Sequence, residues 1–339
     1  MGVVGRSVFF TAERKIVLRN SPLPPLPADA VLVKTRTSAI SAGTEMLIYR
    51  NQMPRGIDTD ATIAALGGKL AYPLKYGYAC VGTVIATGKN VAAEWLGRTV
   101  FAFNPHESHF HARPADLLPV PPDIPADDAL FLPNMETAVN FLMDGQPVIG
   151  ERVTVFGLGI VGLLTTALLA KMPLAQLIGF DMLAHRRKMA ETLGAHAAID
   201  PAQPDTASAA QLDGGGADLT FEVSGAPAAL NQAIAFTGFG GRVVIGSWYG
   251  TKPVALDLGG AFHRSRITLI ASQVSTIAPK FSGRWDKTRR FGVVWQMLAD
   301  IHPARLISHR FSAEKAADAY RLIDRHPAEV LQVVLDWDT

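Results

Sequence analysis

The 339-residue chain exceeds what a single core ordinarily organises, so about two domains are expected. Its 32 Lys and Arg balance 30 Asp and Glu for a net charge of +2, without a long run of one sign, which gives no electrostatic basis for a nucleic-acid or membrane-surface partner. The single cysteine, Cys80, excludes an internal disulfide and any zinc site made of several thiolates. With a start over 1–6 that lacks an apolar signal core and breaks the myristoylation pattern at Arg6, it leads to the expectation of a reducing, cytoplasmic setting.

Residues 1–125 alternate short β-like runs, 31–33, 81–85 and 99–103, with Pro- and Gly-rich turns, and are read as a mostly-β domain. Pro119, Pro121, Pro122 and Pro125 stiffen a segment leading into Asp127-Asp128, a helix start ahead of 129–143. From about Gly150 the pattern becomes strand 152–156, helix 160–171, strand 176–180 and helix 184–192, with further strands at 219–223, 241–246 and 267–271. Alternation at roughly 30 residues per unit implies a parallel sheet with crossover helices. The expected α/β organisation is therefore 1–125, 126–272 as a doubly wound Rossmann domain, and 273–339. The last segment carries Ala316, Ala319, Tyr320 and Ile323 at helical spacing behind Ser312 as N-cap, then a strand at 331–335. The uncharged apolar stretch 153–170 has the length of a membrane span, but Gly157, Gly159 and Gly162 divide it into strand, turn and helix, so a span is rejected.

Gly157-Leu158-Gly159-Ile160-Val161-Gly162 places G-x-G-x-x-G between an expected strand and an expected helix. Gly157 permits the tight turn, Gly159 lets backbone approach a pyrophosphate, and Gly162 allows close helix–strand packing, with the helix N-terminus facing the phosphates. Asp181 follows the next β-run, 19 residues beyond Gly162, where a carboxylate can bond the adenosine ribose hydroxyls and repel the extra phosphate of NADP. NAD is thus the expected cofactor over NADP, although Arg186 and Arg187 close behind offer a phosphate-binding alternative, or a solvated helix face.

At these residues the chain resembles the medium-chain dehydrogenase/reductase superfamily, which includes zinc alcohol, sorbitol and threonine dehydrogenases. The matching stretches are Ala42-Gly43-Thr44-Glu45, Gly77-Tyr78-Ala79-Cys80-Val81-Gly82-Thr83-Val84, Gly97-Arg98-Thr99-Val100-Phe101, Gly150-Glu151-Arg152-Val153 with the glycine motif, Phe221-Glu222-Val223-Ser224-Gly225 and Ser308-His309-Arg310-Phe311. The resemblance implies a GroES-like (chaperonin-like) β-barrel catalytic domain, an inserted Rossmann domain and a C-terminal segment returning to the barrel. It also implies a homodimer joined by sheet edges at 238–247, and Thr137, Ser224, Gly225 and Gly246 as cofactor contacts alongside the glycine loop.

Where zinc-dependent members carry cysteine before Gly-Thr-Asp, this chain has Ala42, with Glu45 for the aspartate. Where they carry Gly-His-Glu it reads Gly77-Tyr78-Ala79, and the third ligand position falls on Pro133 if Thr137 is the cofactor threonine. Ala, Tyr and Pro cannot supply zinc's N/S/O shell, so a zinc-free member is expected. Locally, 38–45 and 72–78 are most similar to the zinc-lacking branch containing bacteriochlorophyllide hydroxyethyl dehydrogenase, and the substrate is not carried over.

Without a metal, a carbonyl must be polarised by hydroxyl, imidazole or ammonium donors. Tyr78, standing at a metal-ligand position, is the first candidate as proton donor or oxyanion partner; its other reading is a void-filling aromatic. Thr44 matches the resemblance's proton-relay hydroxyl, and Glu45 either orients the Tyr78 phenol or serves as a structural acceptor. His106 and His109 are proton-exchange candidates or two surface histidines, and Lys75 is a weaker one. Arg284 and Trp285 line a substrate mouth or anchor an exposed loop. The expected activity is zinc-independent, NAD(H)-linked interconversion of an alcohol and a carbonyl on an organic small molecule. The alternatives are an NADPH-dependent quinone or enone reductase and a catalytically silent dinucleotide-binding protein.

Overall fold

The computed structural model describes residues 4–54, 56, 63–203, 212 and 215–338. It divides the chain into two compact units, Met1–Pro133 with Leu298–Thr339, and Asn134–Met297. Residues 126–133 thus group with the N-terminal unit, and 273–297 group with the nucleotide-binding unit rather than with the C-terminal segment.

In the first unit the strand Val31–Ile40 is the hub. It pairs antiparallel with Cys80–Thr87, with His109–Ala112 and with Gln332–Asp336, the last also parallel to Ile307–Ser312. Thr99–Ala102 and Leu117–Pro119 extend the sheet beyond Cys80–Thr87. A three-stranded sheet runs in the order Lys15–Pro22, Val4–Ala12, Leu74–Lys75. The β-branched run of Val31–Ile40 suits a strand covered on both faces: Val31 and Val33 pack with Val84, Val100 and Phe110, while Ile40 joins Val8, Phe10, Met46 and Tyr320. The C-terminal helix Ala316–Arg325 buries Ala316, Ala319, Tyr320 and Ile323, the i, i+3, i+4, i+7 stripe of an amphipathic helix. Its N-cap is Lys315; Ser312 instead precedes a separate 3-10 turn and makes no side-chain cap bond there.

In the second unit six described strands form a wholly parallel sheet in the order Ala197–Ile199, Gln176–Phe180, Arg152–Phe156, Ala217–Glu222, Thr237–Ile245, Thr268–Ala271. In chain order this is the 3-2-1-4-5-6 arrangement of the Rossmann fold. The helices Ile160–Leu169, Ala184–Thr192 and Pro227–Phe236 connect the strands. Phe156 and Phe180 stack with centroids 4.4 Å apart, and Phe236 closes on both. The strand order reverses between Arg152–Phe156 and Ala217–Glu222, the place where such sheets bind ligands.

Two expectations change, and one stands. The expected helix at 129–143 is two helices, Ala126–Ala129 and Leu132–Gly145, and the N-cap of the first is Pro125, with Asp127 and Asp128 inside its first turn. Asp128 is buried and accepts from the Ala304 N–H at 2.6 Å. The strand at 237–245 is not a sheet edge: it pairs on one side with Ala217–Glu222 and on the other with Thr268–Ala271, so among the described residues the edge on that side is Thr268–Ala271. Among the described residues no helix is long and apolar enough to cross a membrane, and 153–170 resolves into strand, turn and helix.

Candidate functional site

The nucleotide-binding unit builds its cradle from backbone. Gly157 ends the first strand with φ of +94°, and a Cβ there would stand 2.4 Å from the Ser224 Cα. A Cβ on Gly162 would lie 1.9 Å from the Gly157 oxygen. These two glycines therefore let the turn close against the neighbouring strand end and against itself. Gly159 is different: the nearest atom to its would-be Cβ is Arg186 Nη1 at 4.0 Å, so that side of the loop is open to a ligand. Gly159 is also the N-cap of Ile160–Leu169 and has no side-chain cap, leaving the first amides of Ile160, Val161 and Gly162 free for an anion. The cradle fits a dinucleotide pyrophosphate.

Asp181 lies at the end of the adjacent strand with its two carboxylate oxygens separately held, Oδ2 by the Leu158 N–H at 2.8 Å and Oδ1 by the Leu183 N–H at 2.8 Å. A carboxylate has about four acceptor positions, so capacity remains for two ribose hydroxyls. Arg186 is not on a solvated face. Its Nη1 stands 3.8 Å from Asp181 Oδ2, and burial pulls its basicity down while Asp181 supports it. Arg187 turns to the Asp181 carbonyl at 2.8 Å and to Asp200 at 3.3 Å.

Across the reversal point, buried Glu222 accepts from the Ser224 N–H at 2.9 Å and from the Ser224 and Tyr249 hydroxyls; burial and this carboxylate push the Tyr249 phenol's pKa upward. Gly225, with φ of +69°, donates its N–H to Ser247 Oγ at 2.8 Å. Gly246 has a packing reason to be glycine, since a Cβ would lie 2.1 Å from Phe141 Cζ. Thr137 sits half-buried on Leu132–Gly145. On the same helix, Glu136 and Asn140 receive the fully buried Arg290, whose guanidinium also donates to the Val274 carbonyl at 2.6 Å. Desolvation raises the Glu136 pKa against the pull of Arg290.

In the first unit, the Tyr78 phenol donates to Ser41 Oγ at 2.5 Å and lies 3.5 Å from Thr44 Oγ1. Glu45, fully buried, turns elsewhere. Its Oε1 accepts the Ser41 N–H at 2.8 Å, and its Oε2 meets His106 Nε2 at 3.0 Å and receives the Tyr320 hydroxyl. His106 is thus not a surface residue: it is fully buried, with Nδ1 2.8 Å from Ser38 Oγ. His109 does not join it. It opens the strand His109–Ala112, contacts Ser108 Oγ at 3.0 Å, and has its pKa lowered by burial and then by Lys34 and Arg6. Lys75 pairs with Glu107 at 2.6 Å, and Trp285 carries the Arg289 guanidinium 4.1 Å above its ring.

Zinc does not fit the donors at the family's ligand positions. Ala42 has no side-chain donor atom, and Tyr78 presents a hydroxyl that donates to Ser41 Oγ at 2.5 Å where the zinc-dependent members carry an imidazole. Cys80 points its thiol at the Asn104 and Pro105 carbonyls at 3.3 and 3.4 Å, and burial drives its pKa well up, against the thiolate that zinc requires. Among the described residues no group of three or more His, Cys, Asp or Glu side chains is placed so that it could hold a metal ion.

Sequence reading missed Ser38, Ser41, Tyr320 and Trp337. Tyr320 lies 275 positions from Glu45, and its only sequence signal was membership of an apolar helical stripe.

The family model described as "Zinc-binding dehydrogenase" matches residues 161–290. The zinc-type alcohol dehydrogenase-like protein YphC of Escherichia coli strain K12 is 30% identical, over 94% of this chain and 95% of its own length. An L-threonine 3-dehydrogenase of Bacillus subtilis strain 168 is 26% identical over 91% of both chains. Among solved structures, an alcohol dehydrogenase (rspB) of E. coli CFT073 in complex with NADH superposes with a TM-score of 0.81 at 19% identity, covering 99% of this chain and 100% of that one. With a full-length relative at that identity, a Rossmann cradle and a returning C-terminal strand, the chain belongs to the medium-chain dehydrogenase/reductase superfamily and is an oxidoreductase of its zinc-type alcohol dehydrogenase-like group.

Proposed function

We propose that the protein is a zinc-independent, NAD(H)-linked oxidoreductase that interconverts an alcohol and a carbonyl on a small organic substrate. The observation that supports this reading is a hydroxyl cluster where the resemblance places a metal ligand: Tyr78 is bonded to Ser41 at 2.5 Å and neighbours Thr44 at 3.5 Å. A bound nicotinamide dinucleotide would exchange the hydride. The remaining proton belongs to the protein. In the carbonyl-reducing direction the Tyr78 phenol donates to the developing alkoxide while Ser41 and Thr44 hold and resupply the proton; in the oxidising direction the same hydroxyls take it from the alcohol.

For the cofactor, the Gly157, Gly159 and Gly162 loop with the amides of Ile160, Val161 and Gly162 takes the pyrophosphate, and Asp181 takes the ribose hydroxyls. Ser224, Gly225, Gly246 and Thr137 complete the proposed contacts. Asp181 supports NAD. The proximity of Arg186 to that carboxylate, 3.8 Å, is what favours the second reading, an NADPH-dependent enone reductase. A homodimer and a cytoplasmic setting belong to the same proposal.

The test is metal analysis of the purified protein with fluorescence titration by NADH and NADPH. The expected result is no stoichiometric zinc and tighter NADH binding. Zinc near one per chain overturns zinc independence, and tighter NADPH binding moves the enone reductase to first place. Cofactor binding without turnover across a panel of primary and secondary alcohols and their carbonyls leaves the catalytically silent form.

A further inference from the structure

The Tyr78–Ser41 contact is held from both sides by one buried polar chain. Trp337 Nε1 can only donate, and it donates to Ser38 Oγ at 3.0 Å. Ser38 Oγ also lies 2.8 Å from His106 Nδ1. His106 Nε2 in turn lies 3.0 Å from Glu45 Oε2. Glu45 also takes the Tyr320 hydroxyl, kept protonated by burial and by that carboxylate, which raise its pKa well above the usual value. Each of these polar side chains thus has a partner within hydrogen-bond distance.

Both ends of the catalytic hydroxyl pair are attached to that chain. On one side, Glu45 Oε1 accepts the Ser41 N–H at 2.8 Å, fixing the residue whose hydroxyl receives the phenol. On the other, Gly77, with φ of +130°, lets the His106 ring pack so closely that a Cβ would lie 2.8 Å from its Cδ2, and the His106 N–H donates to the Tyr76 carbonyl at 3.4 Å. The backbone just before Tyr78 is thus seated on His106 while Ser41 is tied to Glu45. We infer that the buried His106–Glu45 pair, completed by Tyr320, is a positioning device that sets the Tyr78–Ser41 hydroxyl contact. This rests on the reading of Tyr78 as the proton-transferring group. His106 and Glu45 are positioning residues, not catalytic ones.

The experiment uses the full chain labelled with 13C at tyrosine Cζ. The six tyrosines give separate signals, and Y78F and Y320F assign two of them. S41A, which removes the acceptor of the phenol, defines the direction in which the Tyr78 signal moves when the contact is lost. E45Q is expected to move the Tyr78 signal in that direction and, on any alcohol that turns over, to lower kcat about tenfold or more with NADH affinity within twofold, because small misplacement of a reacting group is costly. Y320F leaves Glu45 in place and is expected to give a smaller shift of the same sign, which keeps the test open if E45Q does not fold. A Tyr78 signal unmoved in these variants, or moved the opposite way, overturns the inference. Wild-type turnover in Y78F instead overturns the role of Tyr78 while leaving the geometric coupling readable.

Discussion

The two units assemble their functional parts in opposite ways. In Asn134–Met297 the cradle is made by backbone at the ends of consecutive parallel strands, and the residues that matter do so by what they lack: Gly157 and Gly162 have no Cβ because Ser224 and the Gly157 carbonyl already occupy the space. In Met1–Pro133 with Leu298–Thr339 the proposed machinery is a set of hydrogen-bonded side chains from five separated segments, carrying Ser38, Glu45, Tyr78, His106 and Tyr320. A backbone site is local and resists substitution by any side chain. A side-chain site is spread through the chain and is sensitive to the particular donor or acceptor removed.

The largest expected effect falls on the backbone site. Gly162→Ala places a Cβ 1.9 Å from the Gly157 oxygen, so the turn and helix must separate, and forced overpacking of this kind costs about 1–3 kcal/mol or more. NADH titration is expected to show loss of measurable binding with a lowered Tm; unchanged affinity would mean that the glycine loop does not hold the cofactor. Next comes Tyr78→Phe, which removes one proposed proton donor and is expected to reduce kcat by about 10²–10⁴ without changing NADH affinity. Equal effects on affinity and turnover would instead give the phenol a packing role. It would break the comparison.

Asp181→Asn sharpens the same contrast inside the cradle. The amide keeps one oxygen acceptor but loses the charge, and a hydrogen bond to a charged group contributes about 1.5–3 kcal/mol. The preference for NADH over NADPH is therefore expected to fall by about tenfold, measured by parallel titrations; an unchanged ratio would assign cofactor choice to other residues, with Arg186 first. The smallest effect concerns His109, whose pKa is lowered from 6.5 first by burial and then by Lys34 and Arg6. Below pH 6.5 the unfolded chain binds this proton and the folded chain resists it. The neutral form's stability is complete above the unfolded pKa and is lost as pH falls from 6.5 through the folded value. His109→Gln is expected to flatten that part of a denaturant-midpoint profile while leaving turnover unchanged, since His109 stands apart from Glu45. An altered kcat would return it to the catalytic group.

Stability in each unit also draws on buried polar groups, again by different means. Arg290 gathers Glu136, Asn140 and the Val274 carbonyl around one buried guanidinium. Glu45 instead collects one backbone and two side-chain donors around a buried carboxylate. Burial of such charged groups is costly unless they are paired and hydrogen-bonded, and Arg290 meets this through its two terminal nitrogens, its Nε making no hydrogen bond.

The alternation of strand and helix from Gly150 onward, the glycine motif and Asp181 were all readable as a string, because a turn without room for a Cβ and a carboxylate one strand later are local requirements. The parallel sheet followed from the same alternation, and the observed elements Arg152–Phe156, Gln176–Phe180 and Ala184–Thr192 coincide with the expected ones. That Ala42 and Pro133 carry no side-chain donor atom was equally visible, since absence of a donor atom needs no fold to establish. Tertiary structure alone decided that Glu45 would face His106 and Tyr320 while Tyr78 met Ser41. It also decided that His106 would be buried while His109 went to a strand, and that 237–245 would lie inside its sheet rather than at its edge. The physical reason is distance along the chain: hydrogen bonds and strand pairings between residues tens to hundreds of positions apart leave no periodicity, so the partners of a buried carboxylate are known only once the segments carrying them have packed.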